Sequence, residues 1–202
     1  MARLEFFFDC SSPWTYLAFH RIEEVCAEAQ AELIWRPILV GGVFNEVNPS
    51  VYEHRANPIA RKARYSTKDL ADWARHYGIA IGQPPVFPVN SVKAMRGAFV
   101  AEENGCLPAY SRAVFEAYWG HLADISQADV LREIALRVGL DPTDFFDRIA
   151  RQEYKDRLRE NTDELMRRGG FGSPTMFVNE GDMYFGNDRL ELVSAALRES
   201  SP

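Results

Sequence analysis

The sequence predicts an α/β fold in which a small sheet unit is interrupted by a long helical insertion. Three observations in the 202-residue chain carry that expectation. The chain opens strand–helix–strand, its middle shows helical periodicity almost throughout, and its end returns to short strands closed by one helix.

Leu4 to Phe8 is a short apolar run that stops at Asp9, as a buried strand does. Pro13 then suits a first helical turn, and Trp14, Leu17, Ala18, Ile22, Val25, Cys26 and Ala29 recur at helical spacing. Glu32 to Leu39 holds Leu33-Ile34-Trp35, a second strand that closes at Gly41-Gly42. A strand–helix–strand connection of this length favours parallel pairing with a right-handed crossover. Thr67–Tyr77, Ser91–Asn104, Pro108–Leu122, Ser126–Val138 and Glu153–Arg168 read as helices. Ser126-Gln127-Ala128-Asp129 offers capping chemistry to one of them, and Asp141-Pro142 opens a further short helix. Gly82 to Pro88, with three prolines, is a loop, and Gly169-Gly170 stops the last long helix. Thr175–Val178 and Met183–Phe185 form a hairpin around Asn179-Glu180-Gly181-Asp182, and Asp188 to Arg198 is the closing helix. A β-α-β start and a β-β-α finish around a helical insert is a thioredoxin-like plan. Residues 1–45 and 169–202 would build the thioredoxin-like domain, and 46–168 the insertion.

Composition narrows the function. With 47% apolar, 12% aromatic and 26% charged residues the chain can bury a full core, which excludes disordered, collagen-like and coiled-coil classes. No uncharged stretch reaches twenty residues, and Ile79–Val92, fourteen uncharged residues, carries three prolines, so no membrane-spanning helix is expected. The N-terminus has no signal-like apolar region, and a cytoplasmic protein is expected. A net charge of −6 argues against nucleic acid as a partner. Cys10, Cys26 and Cys106 are odd in number, widely spaced and lack C-x-x-C or zinc spacing, so reduced, buried thiols are expected and no metal. No H-E-x-x-H, G-x-S-x-G, G-x-G-x-x-G or Walker pattern occurs, which leaves zinc peptidase, serine hydrolase and nucleotide-dependent chemistry without local support.

Three segments hold candidate chemistry. Phe7-Phe8-Asp9-Cys10-Ser11-Ser12-Pro13-Trp14-Thr15-Tyr16-Leu17 places small polar groups at a strand-to-helix junction, where amides and the helix dipole favour an anion, a thiolate included. The slot that carries C-x-x-C in thioredoxin-like oxidases reads Ser12-Pro13-Trp14-Thr15, so dithiol exchange is absent. Ser12 can cap the helix, or its hydroxyl can donate to a thiolate supplied from outside. Phe171-Gly172-Ser173-Pro174-Thr175 precedes a strand with an X-Pro bond, where cis is accessible. In Phe185-Gly186-Asn187-Asp188-Arg189-Leu190-Glu191, Asp188 and Glu191 are spaced as a capping pair. Separately, Arg55, Arg61, Lys62, Arg64 and Lys68 form a basic run without an acid, either a solvated helix face or a lure for an anionic substrate.

Together these segments make the chain resemble the 2-hydroxychromene-2-carboxylate isomerases and their relatives, the kappa-class glutathione transferases. The resemblance runs over essentially the whole length: Phe8-Asp9-x-x-Ser12-Pro13-x-x-Tyr16-Leu17, Arg36-Pro37-x-x-x-Gly41-Gly42, Phe171-Gly172-x-Pro174-Thr175 and Gly186-Asn187-Asp188-Arg189-Leu190. It implies glutathione as cofactor. Ser12 would be the catalytic serine that stabilises its thiolate. Ser173, before a cis Pro174, would pair its backbone with the cysteinyl unit, Asn187 and Asp188 would hold the γ-glutamyl end, and Asn48 falls near a glutathione-contacting asparagine of the kappa relatives. The implied reaction interconverts 2-hydroxychromene-2-carboxylate and trans-o-hydroxybenzylidenepyruvate, or a similar aromatic keto acid, as in naphthalene breakdown. A kappa-type transferase and a redox-silent thioredoxin-fold binding module are the alternatives. The resemblance also admits a homodimer.

Overall fold

A computed structural model describes residues 2–179 and 181–199. β1 (Arg3–Phe8) lies between a parallel neighbour, β2 (Glu32–Pro37), and an antiparallel one, β3 (Thr175–Val178). The latter pairs antiparallel with β4 (Asp182–Phe185), so the sheet order is β2-β1-β3-β4. This is the expected thioredoxin-like arrangement. Helix α1 (Pro13–Glu28) links the parallel pair.

β1 is buried on both faces, which is why its sequence is a continuous apolar run rather than an alternation. On one face Phe6 and Phe8 each meet Trp35 edge-on at 5.8 Å, and Phe19 of α1 lies 5.1 Å from Trp35 and 5.0 Å from Phe115. On the other, Phe7 and Phe177 pack with Ile38, Val43 and Leu165.

Between β2 and β3 the chain forms α2 (Val40–Val47), α3 (Ser50–Ala56), α4 (Ala60–Tyr77), α5 (Val92–Glu103), α6 (Leu107–Phe115), α7 (Ala128–Arg137), α8 (Pro142–Ala150) and α9 (Gln152–Arg167). A short 3-10 turn, Asn187–Arg189, leads from β4 into α10 (Leu190–Glu199). Among the described residues no helix is long and apolar enough to cross a membrane.

The structure departs from the sequence reading at element ends. β2 stops at Pro37, and Gly41-Gly42 fall inside α2, because tertiary hydrogen bonds to Ile38 and Val40 turn the chain earlier. α4 starts seven residues before Thr67, in a stretch so exposed that it carries no apolar stripe. The expected helix over 108–122 is α6 followed by a π-helical turn, Glu116–Gly120, which swings Tyr118 and Trp119 into the core. Ser126 does not cap α7; it donates its N–H to Asp124 Oδ1 (2.9 Å) and the helix begins at Ala128. Asp141 does cap α8, accepting from the Asp144 N–H at 2.9 Å. β3 and β4 form the expected hairpin, with Val178 opposite Asp182 and Asn179 at φ 53°; Glu180 of its turn lies outside the described residues. All three cysteines are free, but Cys106 is only half-buried.

Glu5 sits on the same face of β1 as Phe7, at 3% exposure. Its carboxylate accepts from Arg36 Nε (2.9 Å) and Nη2 (2.7 Å), and from Arg168 Nη1 (3.0 Å). Burial by itself would raise the Glu5 carboxyl, but the hydrogen bonds and charges of the two guanidiniums outweigh it and hold it below 4.5. The folded-state value is therefore depressed, so this stabilisation is present above 4.5 and is lost as pH falls through the folded value. Glu5→Gln is expected to lower unfolding free energy by about 1–3 kcal/mol at neutral pH, since both arginines are partly solvated. Urea unfolding against pH checks this: the wild-type advantage should shrink below pH 4.5, and a constant difference refutes the pairing.

Candidate functional site

β1 delivers the chain to a tight turn, Asp9–Ser12, at the N-terminus of α1. Asp9 is fully buried and ties three segments together. Its Oδ1 accepts the Ser11 N–H (2.9 Å), and its Oδ2 accepts the Val40 N–H (2.8 Å) and the Ser91 hydroxyl (3.1 Å). Burial raises the Asp9 carboxyl above its ordinary value, and these donors offset only part of that. The turn is held from below as well. Trp119 Nε1–H donates to the Cys10 carbonyl at 2.9 Å, and the Cys10 N–H points at Met95 Sδ at 3.3 Å. Burial first, and the neighbouring Asp9 second, push the Cys10 thiol well above its ordinary value, so it stays protonated and unreactive.

Ser12 occupies the N-cap of α1 with φ −99° and ψ 123°, and Pro13 fills the first helical position. Its hydroxyl does two things. Oγ accepts the Thr15 N–H at 3.2 Å, and it donates to the Ser173 carbonyl at 3.0 Å. The capping role and a donating role are thus compatible in one side chain. Ser173 is held closely in turn: its Oγ is 2.7 Å from Thr15 Oγ1 and accepts the Asp9 N–H at 3.1 Å. The Ser173–Pro174 peptide is cis, as the sequence reading expected, and so is Phe87–Pro88 across the cleft.

The cleft in front of Ser12 holds about 700 Å³, and Ser12, Ser173 and Asn48 all line it. Asn48 follows α2; its Nδ2 donates to the Phe171 carbonyl at 3.2 Å, and its Oδ1 accepts the Ser50 hydroxyl at 2.9 Å. Aromatic rings supply much of the wall: Phe44, Tyr52, Phe87, Phe171 and Phe185. Phe171 and Phe185 lie 4.5 Å apart, centroid to centroid. Asn187 and Asp188 are not in the lining. They sit on the 3-10 turn just beyond Phe185, which packs against α1. Gly186 opens that turn at φ 102°, a conformation favouring glycine, with its N–H on the Pro174 carbonyl at 3.1 Å. Asn187 is buried, and its Nδ2 has no hydrogen-bond partner among the described residues. Asp188 is exposed and pairs with Arg189 at 2.7 Å rather than forming the expected capping pair with Glu191.

The basic run divides. Arg61, Lys62 and Arg64 are exposed on α4, and Lys68 pairs with Asp72, one turn along the same helix. Arg55 alone turns into the cleft, its guanidinium 5.4 Å from the Phe44 centroid and 5.2 Å from the Phe87 centroid. No acidic side chain among the described residues pairs with it. Sequence reasoning missed this residue as a site member, and it missed Asp9, Ser91, Trp119 and the Ser173 hydroxyl as supports. A lone acid at the end of an apolar strand was a usable signal for Asp9. Ser91 and Trp119 carry no local signal, because their partners are 82 and 109 residues away.

The site is therefore a hydroxyl at a helix N-terminus, facing a strand-edge carbonyl, under an aromatic cleft with one unpaired cation. It can stabilise an external anion and hold a flat apolar group bearing negative charge. It cannot exchange disulfides, having no second sulfur.

Residues 3–198 match the DsbA-like thioredoxin domain. The 2-hydroxychromene-2-carboxylate isomerase of Pseudomonas sp. strain C18 is 30% identical over 201 residues, spanning 96% of this chain and 89% of that protein. Human glutathione S-transferase kappa 1 is 27% identical over 209 residues, 97% and 91% of the respective chains. The solved structure of a 2-hydroxychromene-2-carboxylate isomerase superposes with a TM-score of 0.82 at 26% identity, covering 98% of this chain and 95% of the other. The chain belongs to the DsbA-like thioredoxin family, in the branch that holds the 2-hydroxychromene-2-carboxylate isomerases and the kappa-class glutathione transferases.

Proposed function

We propose that the protein is a glutathione-dependent isomerase of 2-hydroxychromene-2-carboxylate and trans-o-hydroxybenzylidenepyruvate, or of a similar aromatic keto acid. The observation that carries this reading is the Ser12 hydroxyl at the N-terminus of α1, opposite Ser173 and beneath aromatic walls with an unpaired Arg55. Glutathione, when bound, supplies a thiolate that adds reversibly to a conjugated double bond and is regenerated.

The residues present fit that cofactor. Ser173 ends its strand-edge segment beside Ser12, where an extended peptide unit can pair with its backbone, and cis Pro174 lies behind it. Ser12 donates to the Ser173 carbonyl, an acceptor that a cysteinyl N–H would also use. With that carbonyl engaged by a bound peptide, the Ser12 hydroxyl would be free to donate to the sulfur. The partial positive charge at the start of the 16-residue α1 adds to the effect. Asn187, with a buried donor lacking a partner, and Asp188, with its exposed carboxylate, would hold the γ-glutamyl end, and Asn48 would steady the opposite rim. Arg55 would take the substrate carboxylate while the surrounding rings hold its aromatic part and exclude water. Three free thiols and a glutathione requirement suit the cytoplasm, where glutathione keeps thiols reduced.

The kappa-type relatives support a second reading, a transferase that forms a stable conjugate. Following keto acid absorbance and free thiol together separates the two: interconversion at constant thiol, dependent on glutathione, is the expected outcome, and stoichiometric thiol loss assigns the transferase. Glutathione binding with no turnover of any conjugated keto acid would leave only a binding module.

Ser12→Ala should cost about 1 kcal/mol of stability through the lost cap. It should also raise the pKa of bound glutathione and slow turnover roughly ten- to a hundredfold, the worth of one hydrogen bond to a charged group. Thiolate absorbance against pH at saturating glutathione reads the shift; full turnover with an unmoved profile reduces Ser12 to a cap. Arg55→Gln should raise KM for the keto acid about tenfold with a smaller change in kcat, and leave glutathione affinity alone. Equal losses with the keto acid and with its carboxamide would refute a carboxylate contact at Arg55.

A further inference from the structure

Behind α2, on the side away from Ser12, lies a second cavity of about 260 Å³ bounded by α2, α5 and α9. Helix α2 is the partition. Gly42 borders both spaces, and Glu46, one turn along, faces this cavity alone, whereas Gly41, Phe44 and Asn45 face the cleft alone. Leu39, Val92, Leu158 and Met166 make its apolar walls.

Arg96 enters this cavity from α5. Its Nε is buried without a hydrogen-bond partner, and the side chain makes no ion pair among the described residues. A buried donor on a charged group is costly to leave unmade, so this cation is set up for an anion that the fold does not itself provide. The proposed reaction makes no use of it.

The other charged groups limit what that anion can be. Lys155 and Arg159 stand exposed at the rim, with Arg159 already bound to Asp156 at 2.9 Å. Glu46 and Asp163 stand exposed at the same rim and would oppose a multiply charged ion such as phosphate. The two rim cations offset the two rim anions, so Arg96 decides the sign of the site and a single negative charge matches it. The volume is below the roughly 300–1,000 Å³ of pockets for drug-sized ligands, which limits the body to about one ring.

We propose that the cavity behind α2 binds a small monocarboxylate on an apolar body, with Arg96 taking the carboxylate. Benzoate is the probe, and benzamide its neutral counterpart. Amide chemical shifts resolve the site: benzoate should shift Glu46, Leu158 and Thr162, which border this cavity and not the cleft, saturably. Benzamide, and benzoate with Arg96→Gln, should bind about tenfold or more weakly, the loss expected for one charged hydrogen bond. Removing an unpaired, half-buried charge should not unfold α5, but Lys155→Glu at the exposed rim gives an independent test and should weaken benzoate severalfold. Shifts confined to the Gly41 and Phe44 side, equal affinity for benzoate and benzamide, unchanged affinity in the variants, or no saturable binding would each overturn the proposal. The titration contains neither glutathione nor keto acid, so its outcome is independent of the isomerase reading.

Discussion

The site rests on one buried carboxylate. Asp9 has no cation beside it; instead it gathers donors from the turn before α1, from the first residue of α2 and from the residue before α5. These are the three walls nearest Ser12. Charged-group hydrogen bonds of this kind are worth more than neutral ones, and a buried acceptor that loses its donors is costly. Each wall is therefore held to the end of β1, a strand covered on both faces, and the position of Ser12 follows from the packing of Phe6, Phe7 and Phe8.

A second layer of contacts serves the same end. The π-helical turn after α6 places Trp119 under the Cys10 carbonyl and sets the Tyr118 hydroxyl 2.8 Å from the Val86 carbonyl, in the loop that carries the cis Phe87–Pro88 bond. One turn thus supports both the floor of the site and the opposite rim of the cleft. Such π-helical turns are often found at functional sites, and here the use is specific: an α-helical continuation would present different residues to the core at those positions.

The replacement of sulfur by oxygen in the first turn of α1 decides the chemistry. A thioredoxin-like scaffold offers the same anion-stabilising helix end with or without a cysteine. With serine and threonine at positions 12 and 15, this turn holds no sulfur and cannot run a dithiol–disulfide cycle. The wall that a redox enzyme would present to a protein substrate is here built from rings around Arg55, a surface suited to a small aromatic acid.

Local patterns were enough to read the opening β-α-β unit, the helical middle, the closing hairpin and the cap at Ser12, because each depends on residues adjacent in sequence: an apolar run, a helical period, Ser-Pro at a junction. By itself the sequence also determined that no dithiol chemistry is available, since that requires two sulfurs at fixed spacing. What only the tertiary structure decided depends on contacts across the chain. Arg55 looked like one of five equivalent cations until Phe44 and Phe87 were seen on either side of its guanidinium. Asn187 and Asp188 belong to the sequence motif, yet the 3-10 turn sets them beside the cleft rather than in its wall. Arg96 gave no signal at all, because an arginine on an amphipathic helix is ordinary until packing buries its Nε and supplies no partner. Burial and partnership are properties of the folded surface, and periodicity along the chain does not contain them.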